Sequence, residues 1–239
     1  MTFNILAIRQ IEEDDEPGMY PLLTPERRLA FEEEDGRDPM YHQVTAVSVR
    51  EAREAGSREV FGLSAISADL LVTGGRVALV CARYDKGGGW WGSPGTALLL
   101  NAVSMIRARI RSRGKALVGH VRYVWLEAVG FSPKKGLLDV NQIRLVLRDG
   151  TVGSPRTLYL DLTFGKYADT AEIARAICMR TARQRLSFGL EMSDQERAEF
   201  ERLANPLRPA EPEKGQFALY RMPRYWKAAP RTAGISKLR

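Results

Sequence analysis

The pattern that most restricts the fold of this chain is a pair of apolar runs joined by two glycines. Residues 60–73 (VFGLSAISADLLVT) stop at Gly74-Gly75, and residues 76–84 (RVALVCARY) follow at once. Two strand-like runs that are joined by a tight glycine turn predict an antiparallel hairpin. Strands joined in this way need no crossover helix, so the pattern favours an antiparallel sheet.

A second hairpin and two further strands extend the predicted sheet. Residues 142–148 and 156–164 lie on either side of Asp149-Gly150, which predicts a hairpin with a longer loop. Residues 116–129 have the composition of a strand with a bend near its C-terminal end, and residues 41–50 alternate well enough to form one more. The chain is therefore expected to be rich in antiparallel strands.

Three segments have the spacing of amphipathic helices. Residues 168–186 are the longest, with Asp169 or Thr170 as the N-cap, and residues 193–204 begin with the capping box Ser193-Asp194-Gln195-Glu196. The third segment, residues 96–113, has a stripe at three- and four-residue spacing: Leu99, Val103, Ile106 and Ile110. Strands and helices together predict the α+β fold class.

Charge divides the chain into an acidic N-terminal part and a basic remainder. Residues 1–59 contain 7 Lys/Arg and 14 Asp/Glu, a net charge of −7, and the other 29 basic and 15 acidic residues give the rest +14. We divide the chain into an acidic N-terminal extension (1–59), a central domain (60–188), and a C-terminal helix with a basic, aromatic tail (189–239). A basic body favours anionic partners. The alternative is that the extension folds back and neutralises it.

The cysteine and hydropathy patterns favour a cytoplasmic protein. Cys81 and Cys178 lie far apart in apolar surroundings, as expected for buried residues in a reducing compartment. They form neither a disulfide framework nor a metal site. No run of about 18 uncharged apolar residues is present, so no transmembrane helix is expected. Peripheral association with a membrane stays open, because the body is basic.

Catalytic chemistry has few candidate residues. The only histidines are His42 and His120, no Ser stands in a nucleophile elbow, and no His/Cys/acid cluster has metal-ligand spacing. Residues 87–92 (GGGWWG) satisfy the G-x-G-x-x-G pattern of dinucleotide-binding folds. However, tryptophans stand where a pyrophosphate would approach, and no acid occurs between Asp85 and Glu127. We predict no catalytic residues, no metal and no cofactor.

Two tryptophans and a basic stretch form the first candidate contact surface. The predicted helix 96–113 begins with apolar residues and is basic in its second half. Aromatic residues beside such a helix suit an anionic bilayer surface, and the same charges suit nucleic-acid phosphates. The alternative is a core helix with a solvated basic end. The candidate contact residues are Trp90, Trp91, Arg107, Arg109, Arg111, Arg113 and Lys115.

The tail forms the second candidate contact surface. Residues 217–239 contain four aromatic and six basic residues and no acid. A tail of this composition can stack on bases, lie on lipid or dock on a protein partner. The alternative is an ordered extension whose aromatic rings pack on the domain. The candidate tail contacts are Tyr220, Arg221, Arg224, Tyr225, Trp226 and Lys227.

Residues 60–188 resemble GRAM and bacterial PH-like domains. Leu71-Val72-Thr73 followed by Gly75-Arg76 is similar to their Leu-x-x-Thr-x-x-Arg opening, and residues 125–129 (WLEAV) resemble a strand that ends in an acid and a valine before a turn. Residues 145–162 are similar to their late strand, Asp-Gly, strand hairpin. The helix at residues 168–186 matches the helix that plugs one end of the PH barrel.

The resemblance implies a PH-like bent antiparallel sheet or barrel that is closed by a C-terminal helix, with the amphipathic helix 96–113 inserted into it. It also implies a non-enzymatic adaptor that docks on an anionic membrane surface or on a protein partner. The basic residues that inositide-binding PH domains place around the first hairpin are represented here by Arg76, Arg83 and Lys86. Nucleic-acid binding and self-assembly into a homo-oligomer are the alternatives.

Overall fold

The computed structural model contains antiparallel strands and two helices, with one short strand after the helices. It describes residues 2–4, 9–11, 33–36, 38–53, 56–85, 117–133, 140–149, 156–187, 192–213 and 216–223. The described strands are β1 (Thr2–Asn4), β2 (Arg9–Ile11), β3 (Met40–Arg53), β4 (Gly56–Val72), β5 (Arg76–Asp85), β6 (Leu117–Arg122), β7 (Leu126–Ser132), β8 (Asn141–Asp149), β9 (Arg156–Phe164) and β10 (Ala218–Arg221). The helices are α1 (Thr170–Ser187) and α2 (Asp194–Leu203), with single 3₁₀ turns at Glu33–Gly36 and Tyr123–Trp125.

Eight of the described strands form one antiparallel sheet in the order β10-β7-β8-β9-β3-β4-β5-β6. β3 lies at its centre, since Val49 pairs with Phe61 of β4 and with Leu160 of β9. Within the described residues the hydrogen-bonded ladder stays open, with β10 and β6 at its two edges. β1 and β2 form a separate ribbon that lies beside β6. The α+β class is confirmed, and the described sheet is open.

Alternate side chains of a strand point to opposite faces of a sheet. In this sheet one of the two faces forms the core. In β8 the side chains of Ile143, Leu145 and Leu147 are buried, while those between them are half-buried. Register shifts between Val44 and Val47 in β3, and others between β4 and β5, mark bulges. Bulges of this kind bend a sheet, so the strands curve around the core face.

The two helices pack on the bent sheet and begin at polar caps. α1 lies against β7 and the 3₁₀ turn at Tyr123–Trp125. Asp169 accepts a hydrogen bond from the backbone N–H of Glu172 (3.1 Å) at its start. At the start of α2, Ser193 Oγ accepts from Glu196 N (3.2 Å), and the Glu196 carboxylate accepts from Ser193 N (2.9 Å). The predicted capping box is therefore confirmed.

Both predicted hairpins are confirmed, as are two of the three predicted helices. β4 and β5 pair on either side of Gly74-Gly75, and β8 pairs with β9. The predicted strand at residues 116–129 is two strands, because the turn at Tyr123–Trp125 separates β6 from β7. The third predicted helix, residues 96–113, lies outside the described residues. Neither α1 nor α2 is both long and apolar enough to cross a bilayer.

The sheet begins earlier in the chain than the predicted domain boundary. That boundary, at residue 60, falls inside β4, and the whole of β3 precedes it. Residues 41–50, which are predicted to form a strand of the acidic extension, lie within β3. β3 pairs on both sides, so residues 40–53 belong to the same sheet as residues 56–72.

The last strand reaches the sheet through a proline-rich connector. In residues 206–212 the side chains of Pro206 and Pro212 are buried and that of Pro209 is half-buried, while Leu207 is 91% exposed. Burial every third residue matches the three residues per turn of a polyproline II helix. The connector therefore runs along the surface with its prolines facing the domain, and β10 then pairs with the outer edge of β7.

Gly130 of β7 allows the close approach of β10. A Cβ atom at Gly130 would lie 2.5 Å from Leu219 Cδ2 and 3.3 Å from the carbonyl oxygen of Ala218. We expect Gly130→Ala to lower the free energy of unfolding by about 1 kcal/mol, because Leu219 must leave its position. Gly165→Ala is the control, since a Cβ there meets nothing within 4 Å. Urea unfolding of both variants tests this, and equal effects would contradict it.

Candidate functional site

The turn between β4 and β5 is the centre of a buried polar cluster. Thr73 N donates to the carbonyl oxygen of Arg76 (3.0 Å), and Thr73 Oγ1 accepts from the backbone N–H groups of Gly75 (3.2 Å) and Arg76 (3.1 Å). The threonine side chain thus replaces hydrogen bonds that a turn would otherwise make to water. This arrangement fixes the first residue of β5, which is Arg76.

Asp35 inserts its carboxylate into this turn. Arg76 Nε donates to both carboxylate oxygens at 3.1 Å, Arg76 Nη2 donates to Oδ2, and Thr73 Oγ1 donates to Oδ1 at 2.8 Å. The side chains of Arg76 and Asp35 are both 0% exposed. The acid comes from the 3₁₀ turn at Glu33–Gly36, so a segment that precedes the sheet is attached to its first hairpin.

His120 of β6 holds the other side of the Arg76 guanidinium. Arg76 Nη1 lies 3.0 Å from His120 Nδ1, and the imidazole ring meets Trp125 edge-on at 5.7 Å between ring centres. Burial, followed by the nearby charges of Arg76 and Arg122, lowers the pKa of His120 to about 3. The ring is therefore neutral at neutral pH, and Nδ1 accepts from the arginine.

α1 reaches the same turn with polar side chains. Arg180 Nη1 donates to the carbonyl oxygen of Val72 (2.5 Å), and Arg180 Nη2 donates to that of Asp38 (2.6 Å). Gln184 Nε2 donates to the carbonyl oxygen of Gly75 (3.2 Å). One arginine therefore joins the helix both to the end of β4 and to the segment that carries Asp35.

Tyr123 completes the cluster from the turn between β6 and β7. Its hydroxyl donates to the carbonyl oxygen of Thr73 (2.6 Å), and its side chain is fully buried. Burial raises the pKa of Tyr123 above its ordinary value, so the phenol keeps its proton at neutral pH. Four separate parts of the chain thus meet at the Thr73–Arg76 turn, which makes the cluster a structural junction.

A second ion pair lies on the outer face of the sheet. Arg144 donates to the two carboxylate oxygens of Asp161 at 2.6 and 2.7 Å. The guanidinium carbon lies 5.0 Å from the ring centre of Tyr159 and 4.1 Å from that of Phe217. Phe217, the first aromatic residue of the tail, therefore packs on the domain through a cation–π contact.

The candidate contact residues divide between described and undescribed parts of the chain. Tyr220 is only 5% exposed and belongs to the core, whereas Arg221 beside it is exposed. The ring of Tyr220 is thus packed inside the domain, which is the alternative that the sequence left open for the tail. The remaining candidates lie outside the described residues: Trp90, Trp91, Arg107, Arg109, Arg111, Arg113, Lys115, Arg224, Tyr225, Trp226 and Lys227.

Comparison of the chain with protein-family models, with curated proteins and with solved structures finds no match. Its function therefore has to be argued from its own residues.

Sequence reasoning missed the role of Asp35. The run Glu32–Asp35 reads as a solvated acidic cluster, and Asp35 and Arg76 are too far apart in sequence for any local pattern to join them. As a basic residue of the first hairpin, Arg76 is predicted to suit an anionic ligand. The structure shows instead that its guanidinium is fully buried and contacts Asp35 and His120. The Thr-x-x-Arg motif is the sequence signal that Thr73 and Arg76 have a fixed role in the first hairpin.

Proposed function

We propose that this protein is a non-enzymatic module that docks on an anionic membrane surface through residues 86–116, using a PH-like scaffold. The observation that carries the proposal is the direction of the strands. α1 packs at the Thr73–Arg76 turn, and β5 runs away from that turn. Residues 86–116 follow β5, and the chain then returns towards the turn as β6. That segment carries six basic residues and no acid beside Trp90 and Trp91. Its two attachment points lie away from the end that α1 covers.

The scaffold part of the proposal is supported by the elements that carry the family resemblance. The first hairpin, the strand at residues 126–132, the late hairpin and the closing helix are all present in the expected order. The strands form an antiparallel sheet that bulges bend, and α1 contacts both the first hairpin and β7. α1 therefore packs at the end of β4 and β5 where the Thr73–Arg76 turn lies, and β5 leads away from that end.

The state of two reactive groups supports a non-enzymatic function. His120 accepts a hydrogen bond from Arg76 and has a pKa of about 3, too low for acid–base chemistry near neutral pH. Cys178 is buried, and burial raises the pKa of its thiol to about 12. A thiol that is protonated and enclosed in this way is a poor nucleophile.

Co-sedimentation with vesicles tests the docking proposal. We expect the protein to bind phosphatidylserine-containing vesicles and not phosphatidylcholine vesicles, with binding that falls steeply as salt rises. Trp90→Ala/Trp91→Ala should weaken this binding about tenfold or more, because each indole contributes a large apolar area at the interface. Tyr167→Ala is the control, since Tyr167 is 87% exposed and follows the end of β9 that pairs near the start of β3, on the side of the Thr73–Arg76 turn.

Three outcomes would overturn the membrane proposal. Absence of vesicle binding at low salt is the first, and equal losses for the tryptophan variant and for Tyr167→Ala are the second. The third is that the protein slows the migration of short DNA or RNA in a gel but does not bind vesicles, which would favour the nucleic-acid alternative.

A further inference from the structure

The donors around the Asp35 carboxylate are those that bind oxyanions in general. Arg76 presents Nε and Nη2 side by side to the two oxygens, and Thr73 adds a hydroxyl at 2.8 Å. A guanidinium that binds two oxygens of one group is the arrangement by which proteins recognise carboxylates and phosphates. The Thr73–Arg76 turn therefore presents the hydrogen-bond donors of an anion-binding site, and the Asp35 carboxylate occupies that site.

The site is fixed in place independently of its occupant. Arg76 Nη1 contacts His120 Nδ1 at 3.0 Å, which orients the guanidinium from the side away from Asp35. Thr73 is held by the backbone of its own turn and, through its carbonyl oxygen, by Tyr123. These contacts come from β5, β6 and the turn after β6, and none of them comes from the segment that carries Asp35. Donors that are already oriented bind an anion at a lower entropic cost.

The occupant belongs to a segment outside the sheet. Asp35 lies in the 3₁₀ turn Glu33–Gly36, which precedes the first paired residue of β3, Met40. Another contact of this segment is made by the carbonyl oxygen of Asp38, which accepts from Arg180. Asp38 has a φ of 47°, so the chain bends sharply between the site and β3. Withdrawal of Asp35 would break no hydrogen bond between strands.

We propose that the Thr73–Arg76 turn is an oxyanion-binding site and that Asp35, in the 3₁₀ turn Glu33–Gly36, is its intramolecular ligand. An external carboxylate or phosphate binds there only when the Asp35 carboxylate has left. The chain thereby controls access to the site with its own N-terminal segment, whose remaining acids raise the local concentration of competing carboxylates. This site is distinct from the segment proposed to contact membranes, and either proposal can fail alone.

Chemical rescue tests the site in the full-length chain. Asp35→Ala removes the carboxylate and leaves space for a formate ion between Thr73 and Arg76. We expect sodium formate at about 0.1 M to raise the Tm of this variant by about 3 °C or more over sodium chloride of equal ionic strength, because a ligand that binds only the folded state stabilises it. The wild-type protein, whose site is occupied, should show no difference between the two salts.

Asp35→Asn is the matched control, because the amide keeps the volume of the acid and leaves no room for formate. Rescue of Asp35→Ala but not of Asp35→Asn supports the proposal, and a parallel rescue by inorganic phosphate would extend the ligand class from carboxylates to phosphates. If Asp35→Ala fails to fold in chloride, a higher refolding yield in formate gives the same information. Equal behaviour of Asp35→Ala in formate and chloride, or rescue of Asp35→Asn to the same extent, would overturn it.

Discussion

Asp35→Ala is expected to lower the free energy of unfolding by about 3–5 kcal/mol, one of the two largest effects predicted for this chain. The reason is the burial of its partner, since the Arg76 side chain is 0% exposed and would keep its charge without the acid that contacts it. Removing one member of a buried ion pair costs more than the pair contributes, because the remaining charge stays desolvated. Urea unfolding followed by circular dichroism measures the loss.

Asp38→Ala provides the comparison within the same segment. The Asp38 carboxylate also faces an arginine, at 3.4 Å from Arg180 Nη2, but its side chain is 98% exposed. Exposed pairs contribute between about 0 and 1 kcal/mol, and an alanine at the positive φ of Asp38 costs about 1 kcal/mol more, so this variant should lose no more than about 2 kcal/mol. A loss for Asp35→Ala no larger than that for Asp38→Ala would show that the buried contact with Arg76 does not hold the segment.

Acidification from pH 7 to pH 4.5 is expected to remove about 2–3 kcal/mol of stability through His120 alone. The unfolded chain binds a proton at this residue near pH 6.5, whereas the folded chain does so only near pH 3. Between these values the unfolded state holds more protons, so stability is complete above pH 6.5 and decreases as the pH falls, by up to about 1.4 kcal/mol per pH unit. Above pH 4.5 most carboxylates are still ionised, which separates this effect from theirs.

His120→Gln should flatten the dependence on pH in this range. Glutamine does not titrate, so the variant binds no proton at this position in either the folded or the unfolded state. His42 is the only other histidine, and its pKa is also lowered by burial, but it is only half-buried. His42→Gln should therefore change the slope less. Urea unfolding midpoints at pH 7, 5.5 and 4.5 test this prediction. Equal slopes of the midpoint against pH for the wild-type protein and His120→Gln would contradict it.

The sequence predicts elements well where their signals are local. The glycine pair before Arg76 and the Asp149-Gly150 step each mark a hairpin that the structure contains. The cap at Asp169 and the box at Ser193–Glu196 likewise involve residues within one turn of a helix. In each case the residues that decide the conformation are adjacent in the chain, so one sequence holds enough information.

Contacts between residues that are far apart in the sequence cannot be predicted in this way. Arg180 and Arg185 are buried on the face of α1 that meets the sheet, although arginine side chains are mostly exposed in proteins. Their guanidinium groups donate to carbonyl oxygens of Val72 and Leu126, which only the folded chain brings near. β10 is missed for a similar reason, because Tyr220 in a basic tail has no local sign that its ring enters the core.

The candidate contact surface was predicted from composition, and composition does not fix placement. For the tail, Phe217 and Tyr220 pack on or in the domain, so only part of the predicted surface is exposed in the described residues. For the first hairpin, Arg76 is committed to Asp35. Basic and aromatic residues satisfy buried acids and cores as well as ligands, and a single sequence does not distinguish these uses.

The position of β3 sets the order in which this chain can mature on the ribosome. Val47 at the centre of the sheet pairs with Leu162, which is synthesised long after it. Until β9 has left the exit tunnel, the edge of β3 that pairs with β9 is uncovered. This edge can pair with other nascent chains. Pairing across so many residues also slows folding, because a long loop must close before its contacts form. The central strand β3 therefore gains its second partner only after residues 156–164 have been synthesised.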